Sequence, residues 1–193
     1  GKQGVALARA ALAAGARVRF IAGSMSVPVP EGVERAVHVE STAELLTAVL
    51  EQAADADVLV MAAAVADFRP AEASESKMKK GDDGSSPVIV LERTEDVLAT
   101  AVRTRAAGGP MAPLIVGFAA ETGDAESSVL EYGRAKLARK GCEMLVVNEV
   151  GRDKVFGRDE TAVTILFADG SPAVEAAGSK EEAAAAVVGA VVD

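Results

Sequence analysis

Val58-Leu59-Val60-Met61-Ala62-Ala63-Ala64-Val65-Ala66-Asp67 is the stretch on which the fold turns. Its first four residues are apolar without alternation. That pattern reads as a strand buried on both faces, as in a parallel sheet covered by helices on each side. The small residues that follow let another backbone or a flat ring approach closely, and Asp67 closes the run with a fixed acceptor.

The same grammar continues outward. Upstream, Ser41 or Thr42 caps a helix running to about Ala54, with Glu44 placed for a capping box. Ala36 to Val39 is a strand, the Pro-containing segment Ser24 to Gly32 a loop, and Val18, Phe20 and Ile21 a short strand. A helix reads from Gly4 to Ala14, stopped by Gly15. Downstream, Asp67 to Pro87 is a polar stretch too long for an ordinary connector, which marks it as functional or mobile. Val88 to Leu91 is then a strand, Glu95 to Ala107 a helix, Leu114 to Phe118 a strand, Ala125 to Lys140 a helix stopped by Gly141, and Met144 to Val147 a strand. Regular alternation of this kind predicts an α/β domain, a doubly wound and mostly parallel Rossmann-like sheet. The pattern changes at the end. Residues 162–177 read as a β-hairpin appendage around Asp169-Gly170, with Val163, Ile165 and Phe167 at alternate positions suited to dimerisation, and Glu181 to Val192 as a helix capped by Ser179.

Composition bounds what such a domain does. The chain has 193 residues, a formal charge of −9 and a sequence pI near 4.8, with 50 % hydrophobic and 25 % charged residues. A single domain with a full core follows, and a diffuse acidic surface argues against nucleic-acid binding, which needs clustered Lys and Arg. No apolar run is long enough to span a bilayer, so no membrane partner is expected. One Cys and no Trp fit a reducing cytoplasm without disulfides. His38 and Cys142 are each alone at their positions, without ligand spacing, and read as structural; no resident metal site is expected.

In open parallel sheets ligands bind beyond the carboxyl ends of the strands. Candidates there are the run Ala63 to Asp67, the cationic Lys77-Met78-Lys79-Lys80, Phe118 where a base could stack, and Asn148. Lys136 and Lys140 share one helix face by their i, i+4 spacing, and in the last turn they also complement the helix dipole. Gly1-Lys2-Gln3-Gly4 opens the first helix with backbone N–H groups of the kind that bind phosphate. Because no strand feeds that helix, the reading expects one upstream of Gly1. It expects this chain by itself to bind nucleotide but turn over poorly.

In register, Gly1-Lys2-Gln3-Gly4, Ala62 to Pro70, Lys77 to Lys80, Val116-Gly117-Phe118-Ala119-Ala120-Glu121-Thr122 and Val147-Asn148-Glu149-Val150 resemble the phosphopantothenate–cysteine ligase family. The resemblance covers essentially the whole chain. It implies a CTP-dependent ligase of coenzyme A biosynthesis that joins 4′-phosphopantothenate to L-cysteine through an acyl-cytidylate, with Mg²⁺, releasing pyrophosphate and CMP. It implies catalytic roles for Lys77 and Asp67, nucleotide contacts at Gly1, Lys2, Gly4, Ala63, Ala64, Asp67, Lys77, Phe118, Lys136 and Lys140, and substrate contacts at Ala63, Ala64 and Asn148. It further implies a homodimer and, in the full-length protein, a fused flavin-dependent decarboxylase domain. An Asn and an Arg used by the family would lie just upstream of Gly1. Two alternatives stay open on the residues alone: a nicotinamide-dependent oxidoreductase, with Glu40 closing the second strand, and a non-catalytic nucleotide-binding module.

Overall fold

The structure is a computed structural model and describes residues 1–72, 88–121, 128–149 and 160–192. Helix α1 (Lys2–Ala13) leads into β1 (Arg19–Ala22), β2 (Arg35–His38), α2 (Thr42–Gln52), β3 (Val58–Met61) and β4 (Phe68–Pro70). Then follow β5 (Leu91–Arg93), α3 (Val97–Ala106), β6 (Leu114–Glu121), α4 (Val129–Lys140), β7 (Met144–Glu149), β8 (Glu160–Phe167), β9 (Val174–Ser179) and α5 (Lys180–Val192). The main sheet has strand order β3-β6-β7-β8-β9, parallel across β3, β6 and β7 and antiparallel across β7, β8 and β9. β1 and β2 form a separate parallel pair, and β4 and β5 a separate antiparallel ribbon.

Helix boundaries follow local chemistry. Ser41 caps α2, its Oγ accepting from Glu44 N at 3.2 Å while Glu44 Oε2 accepts from Ser41 N at 3.4 Å. Ser128 with Glu131 and Ser179 with Glu182 repeat the motif at α4 and α5. The backbone N–H groups of Ser128 and Ser179 hold the Glu131 and Glu182 carboxyls below the ordinary carboxylate range, and Glu44 is held there by the Glu40 N–H first and the Ser41 N–H second. Gly141 closes α4 at φ 71°, where a side chain would be strained.

Strands β6 and β7 bury both faces, whereas β3, at the sheet edge, leaves Val60 exposed, against the two-sided burial its apolar run predicts. Ile115 and Leu145 are fully buried, and with Val147 and Ala119 they pack under α2, α3 and α4 through Val49, Leu98, Ala101 and Leu137. Val116 and Val146 on the other face meet α1 and α5 through Ala6, Leu7, Ala183, Ala184 and Val187. Helix α4 lies closely on the sheet because Gly133 has no side chain: a Cβ there would stand 2.8 Å from Val147 Cγ2 and 2.9 Å from Leu166 Cδ1.

Two local expectations change. The hairpin is not set apart from the core but continues the main sheet through β7–β8 pairing, from Met144 opposite Phe167 to Asn148 opposite Val163. Val163 and Ile165, read from their alternation as a dimer face, are 5 % and 0 % exposed within the chain, covered by α1 and α5. The strand expected at Val88 to Leu91 begins instead at Leu91 and pairs with Phe68–Pro70, inside what read as a loop. This ribbon stands outside the parallel sheet, so its apolar residues stay exposed: Phe68, Val88, Ile89, Val90 and Leu91 are each more than half accessible.

Candidate functional site

Strands β3 and β6 run parallel; β3 ends at Met61, opposite Gly117, while β6 runs on to Glu121, so the loop after β3 leaves beside β6 at the carboxyl edge of the sheet. A cleft of about 270 Å³ opens there. Its walls are Ala63 to Asp67 after β3, Thr94 to Leu98 entering α3, Phe118 to Ala120 on β6, and Lys136 and Lys140 on α4.

The loop after β3 is held by the segment that precedes α3. Thr94 N donates to Asp67 O at 3.0 Å, and Thr94 Oγ1 donates to Ala66 O. Asp96 then caps α3, its Oδ1 accepting from Ala99 N at 3.0 Å. Its other oxygen accepts from Lys140 Nζ. Burial works to raise the Asp96 carboxyl, but Lys140 and the Ala99 N–H outweigh it and hold the group below the usual carboxylate range. One turn earlier on α4, Lys136 Nζ donates to Glu121 Oε1 at 2.8 Å. Both cleft lysines therefore carry a carboxylate partner from another element. The dipole reading suits Lys140, in the last turn of α4, but not Lys136, one turn earlier, and it explains neither pairing.

The expected site residues separate into three groups. Ala63, Ala64, Asp67, Lys136 and Lys140 come together around the cleft, whereas Phe118 borders it along β6 with its side chain packed on the α1 and α5 side, like its partner Val146, and so is not placed to stack a base among the lysines. Gly1, Lys2, Gly4 and Asn148 do not line it. Asn148 pairs with Ala120 and alternates with Val147, so it sits on the α1 and α5 side of the sheet, where its Oδ1 accepts from Thr161 Oγ1 at 3.3 Å. Gly1 precedes α1, whose first turn hydrogen-bonds Val5 N to Gly1 O at 3.0 Å, and α1 covers the sheet face opposite α4. Lys77 and its cationic neighbours lie outside the described residues. Thr94, Asp96 and Glu121 are structural members of the site that strand-end reasoning missed. For Asp96, the signal was its position as a helix cap.

Cys142 is 1 % exposed, its Sγ donating to Met144 O at 3.3 Å, and burial pushes the thiol up, away from thiolate chemistry. His38 is exposed at the end of β2. Among the described residues no group of three or more His, Cys, Asp or Glu side chains could hold a metal ion, and no helix is long and apolar enough to cross a membrane.

The family model for the DNA/pantothenate metabolism flavoprotein C-terminal domain matches residues 1–193. The chain belongs to that family. The coenzyme A biosynthesis bifunctional protein CoaBC of Mycobacterium bovis is 52 % identical over 194 residues, covering 100 % of this chain and 46 % of that protein. The protein of the same name from Bacillus subtilis is 40 % identical over 171 residues, covering 88 % of this chain and 39 % of its own length. The chain thus spans about half the length, or less, of these relatives. Among solved structures, the C-terminal domain of CoaBC superposes with a TM-score of 0.76 at 32 % identity, covering 99 % of this chain and 81 % of that one. A Cab2 variant in complex with phosphopantothenate-cysteine shares the fold, with a TM-score of 0.66 at 18 % identity over 100 % of this chain and 76 % of that one.

Proposed function

We propose that the chain is the CTP-dependent ligase domain that joins 4′-phosphopantothenate to L-cysteine in cytoplasmic coenzyme A biosynthesis. In the full-length protein it would be fused to a flavin-dependent decarboxylase domain. The observation that carries this reading is the cleft itself. In a family member, the small-residue loop and two lysines converge at the carboxyl edge of adjacent parallel strands, beside β6 at Phe118. That is where a flat base and a polyanionic tail are accommodated together.

The reaction has two half-steps. A carboxylate oxygen of phosphopantothenate attacks the α-phosphorus of CTP, the bond to the β-phosphate oxygen breaks, and pyrophosphate leaves. The amine of cysteine then attacks the acyl carbonyl, the bond to the cytidylate oxygen breaks with loss of an amine proton, and CMP leaves. Activation creates the leaving group, so no protein nucleophile is needed, in keeping with the buried Cys142 and exposed His38. Positioning and charge stabilisation are the protein's share. The β6 segment at Phe118 would stand beside the cytosine, the Ala63 and Ala64 backbone beside the reacting phosphate, and Lys136 and Lys140 would meet the phosphate charge. Asp67 would orient the substrate carboxylate or nucleotide. Lys77 is assigned to the leaving pyrophosphate on resemblance alone, and Mg²⁺ would arrive on the CTP phosphates. Asn148 is assigned to phosphopantothenate, reached beyond the carboxyl end of β7, and Gly1, Lys2 and Gly4 to a more distant nucleotide contact.

A homodimer belongs to the same proposal, with its surface moved. The hairpin spends its apolar face on α1 and α5, while the β4–β5 ribbon exposes Phe68, Ile89 and Leu91 together. A contiguous apolar strip of this kind is a common mark of an interface.

Pyrophosphate release by the full-length protein with CTP, ATP or neither, with phosphopantothenate present and cysteine added second, tests the ligase reading. CTP-dependent release is expected, and Lys77→Ala should cut it at least ten-fold with the melting temperature unchanged. Release with ATP alone, or none with any nucleotide, would overturn the assignment.

A further inference from the structure

Neither cleft lysine presents a bare charge. Lys136 Nζ is 2.8 Å from Glu121 Oε1, with the two side chains 28 % and 20 % exposed. Glu121 is the last residue of β6, next to Ala120 in the cleft wall, whereas Lys136 arrives from α4. The pair joins two elements at the border of the site, where Lys136 lines the cleft and Glu121 adjoins its wall. A mostly buried ammonium with no counter-charge would be costly, so in the empty cleft the carboxylate stabilises the lysine where a phosphate would meet it. The same carboxylate opposes a polyanion placed at that spot, because its charge has the sign of the ligand's.

We propose that Glu121 is a positioning residue that exchanges Lys136 with the ligand. It holds the ammonium at the cleft when the site is empty, yields it when a polyphosphate arrives, and takes it back as product leaves. This rests on the reading that Lys136 meets nucleotide phosphates. The consequence has an unusual sign: removing the Glu121 charge tightens nucleotide binding and slows turnover, because bound polyphosphate no longer competes with an internal anion. A merely structural ion pair predicts the reverse, weaker binding with a loss of stability. Lys140 and Asp96 repeat the arrangement, but Asp96 also caps α3, so its removal mixes two effects. Glu121 caps no helix and is the cleaner position.

The experiment is calorimetric titration of CTP with Mg²⁺ into the chain and into Glu121→Gln, Glu121→Asp, Lys136→Ala and the Glu121→Gln/Lys136→Ala double variant, with melting temperatures alongside. Glu121→Gln keeps an oxygen acceptor for Lys136 and removes the charge. It should lower the CTP dissociation constant on the order of ten-fold, the scale of one unit charge near a polyanion at a protein surface. The gain should shrink as salt is raised. Glu121→Asp should bind like the unmodified chain, and the double variant should fall back to Lys136→Ala. Where ligase turnover is measured, Glu121→Gln should lower KM and kcat together. Equal or weaker CTP binding by Glu121→Gln while Lys136→Ala binds less tightly would overturn the exchange and leave the proposed function standing. Equal tightening by Glu121→Asp would also overturn it. CTP binding unaffected by Lys136→Ala, or no CTP binding at all, would overturn both.

Discussion

Replacing Glu143 with Ala should unlock the end of the sheet opposite the cleft. Glu143 Oε2 accepts from Arg105 Nη1 at 2.5 Å and from Ile115 N at 2.9 Å, and Oε1 accepts from Arg105 Nη2 at 2.6 Å. Arg105 Nη1 also donates to Pro113 O at 2.7 Å. One carboxylate thus ties the last turn of α3 to the amino ends of β6 and β7. Its hydrogen bonds are the leading cause of the raised Arg105 pKa. The ion pair itself is 23 % and 37 % exposed, so water screens it and its share is about 1 kcal/mol. Ile115 is fully buried, and leaving its N–H without an acceptor costs roughly 1–3 kcal/mol. The sum is about 2–4 kcal/mol. At roughly 2–4 °C per kcal/mol for a domain of this size, the melting temperature should fall by roughly 5–15 °C. Glu143→Gln keeps an acceptor for Ile115 and should lose only about 1 kcal/mol. Thermal unfolding at neutral pH measures both, and calorimetry with CTP should find affinity unchanged in Glu143→Ala, since the cleft lies at the other end of the strands. A fall of less than roughly 2 °C would refute the reasoning by showing that Ile115 N–H finds another partner. Equal losses in the Ala and Gln variants would place the cost in the ion pair instead.

Further outcomes concern charge, packing and assembly. The Asp96 carboxyl is held below its unfolded value, so its contribution is complete above about pH 4 and is lost as pH falls through the folded value. Asp96→Asn keeps the cap, so it should be less stable than the parent at neutral pH and match it in strong acid; denaturant titrations at several pH values would expose a constant gap, which contradicts this. Gly133→Val should lose roughly 1–3 kcal/mol in chemical denaturation, because its Cβ would meet Val147 and Leu166 at under 3 Å; an unchanged midpoint would mean that α4 slides freely over the sheet. Phe68→Glu combined with Ile89→Glu should shift sedimentation from dimer to monomer, and a persisting dimer would move the interface off the β4–β5 ribbon.

What could be read without coordinates was whatever the chain decides over a few residues. The capping box at Ser41 and Glu44 acts over three positions, and Gly141 ends α4 because only a glycine adopts its backbone angle without strain. The unbroken apolar run Val58 to Met61 pointed to a parallel strand, and it does pair in parallel with β6, but as an edge strand it leaves Val60 exposed. Lys136 and Lys140 could be placed on one helix face, but not given partners. Those come from residues 15 and 44 positions away, Glu121 and Asp96, which only strand order and helix docking bring within reach. The hairpin and the ribbon show the same division. Val163 and Ile165 alternate as a dimer face would, yet they are buried within the chain, and Val88 to Leu91 read as a strand, yet the strand begins only at Leu91 and the apolar run is exposed. Alternation says that one face of a strand is apolar. Whether that face meets α1 and α5, another chain or water depends on contacts distant in sequence, which are set when the whole core closes.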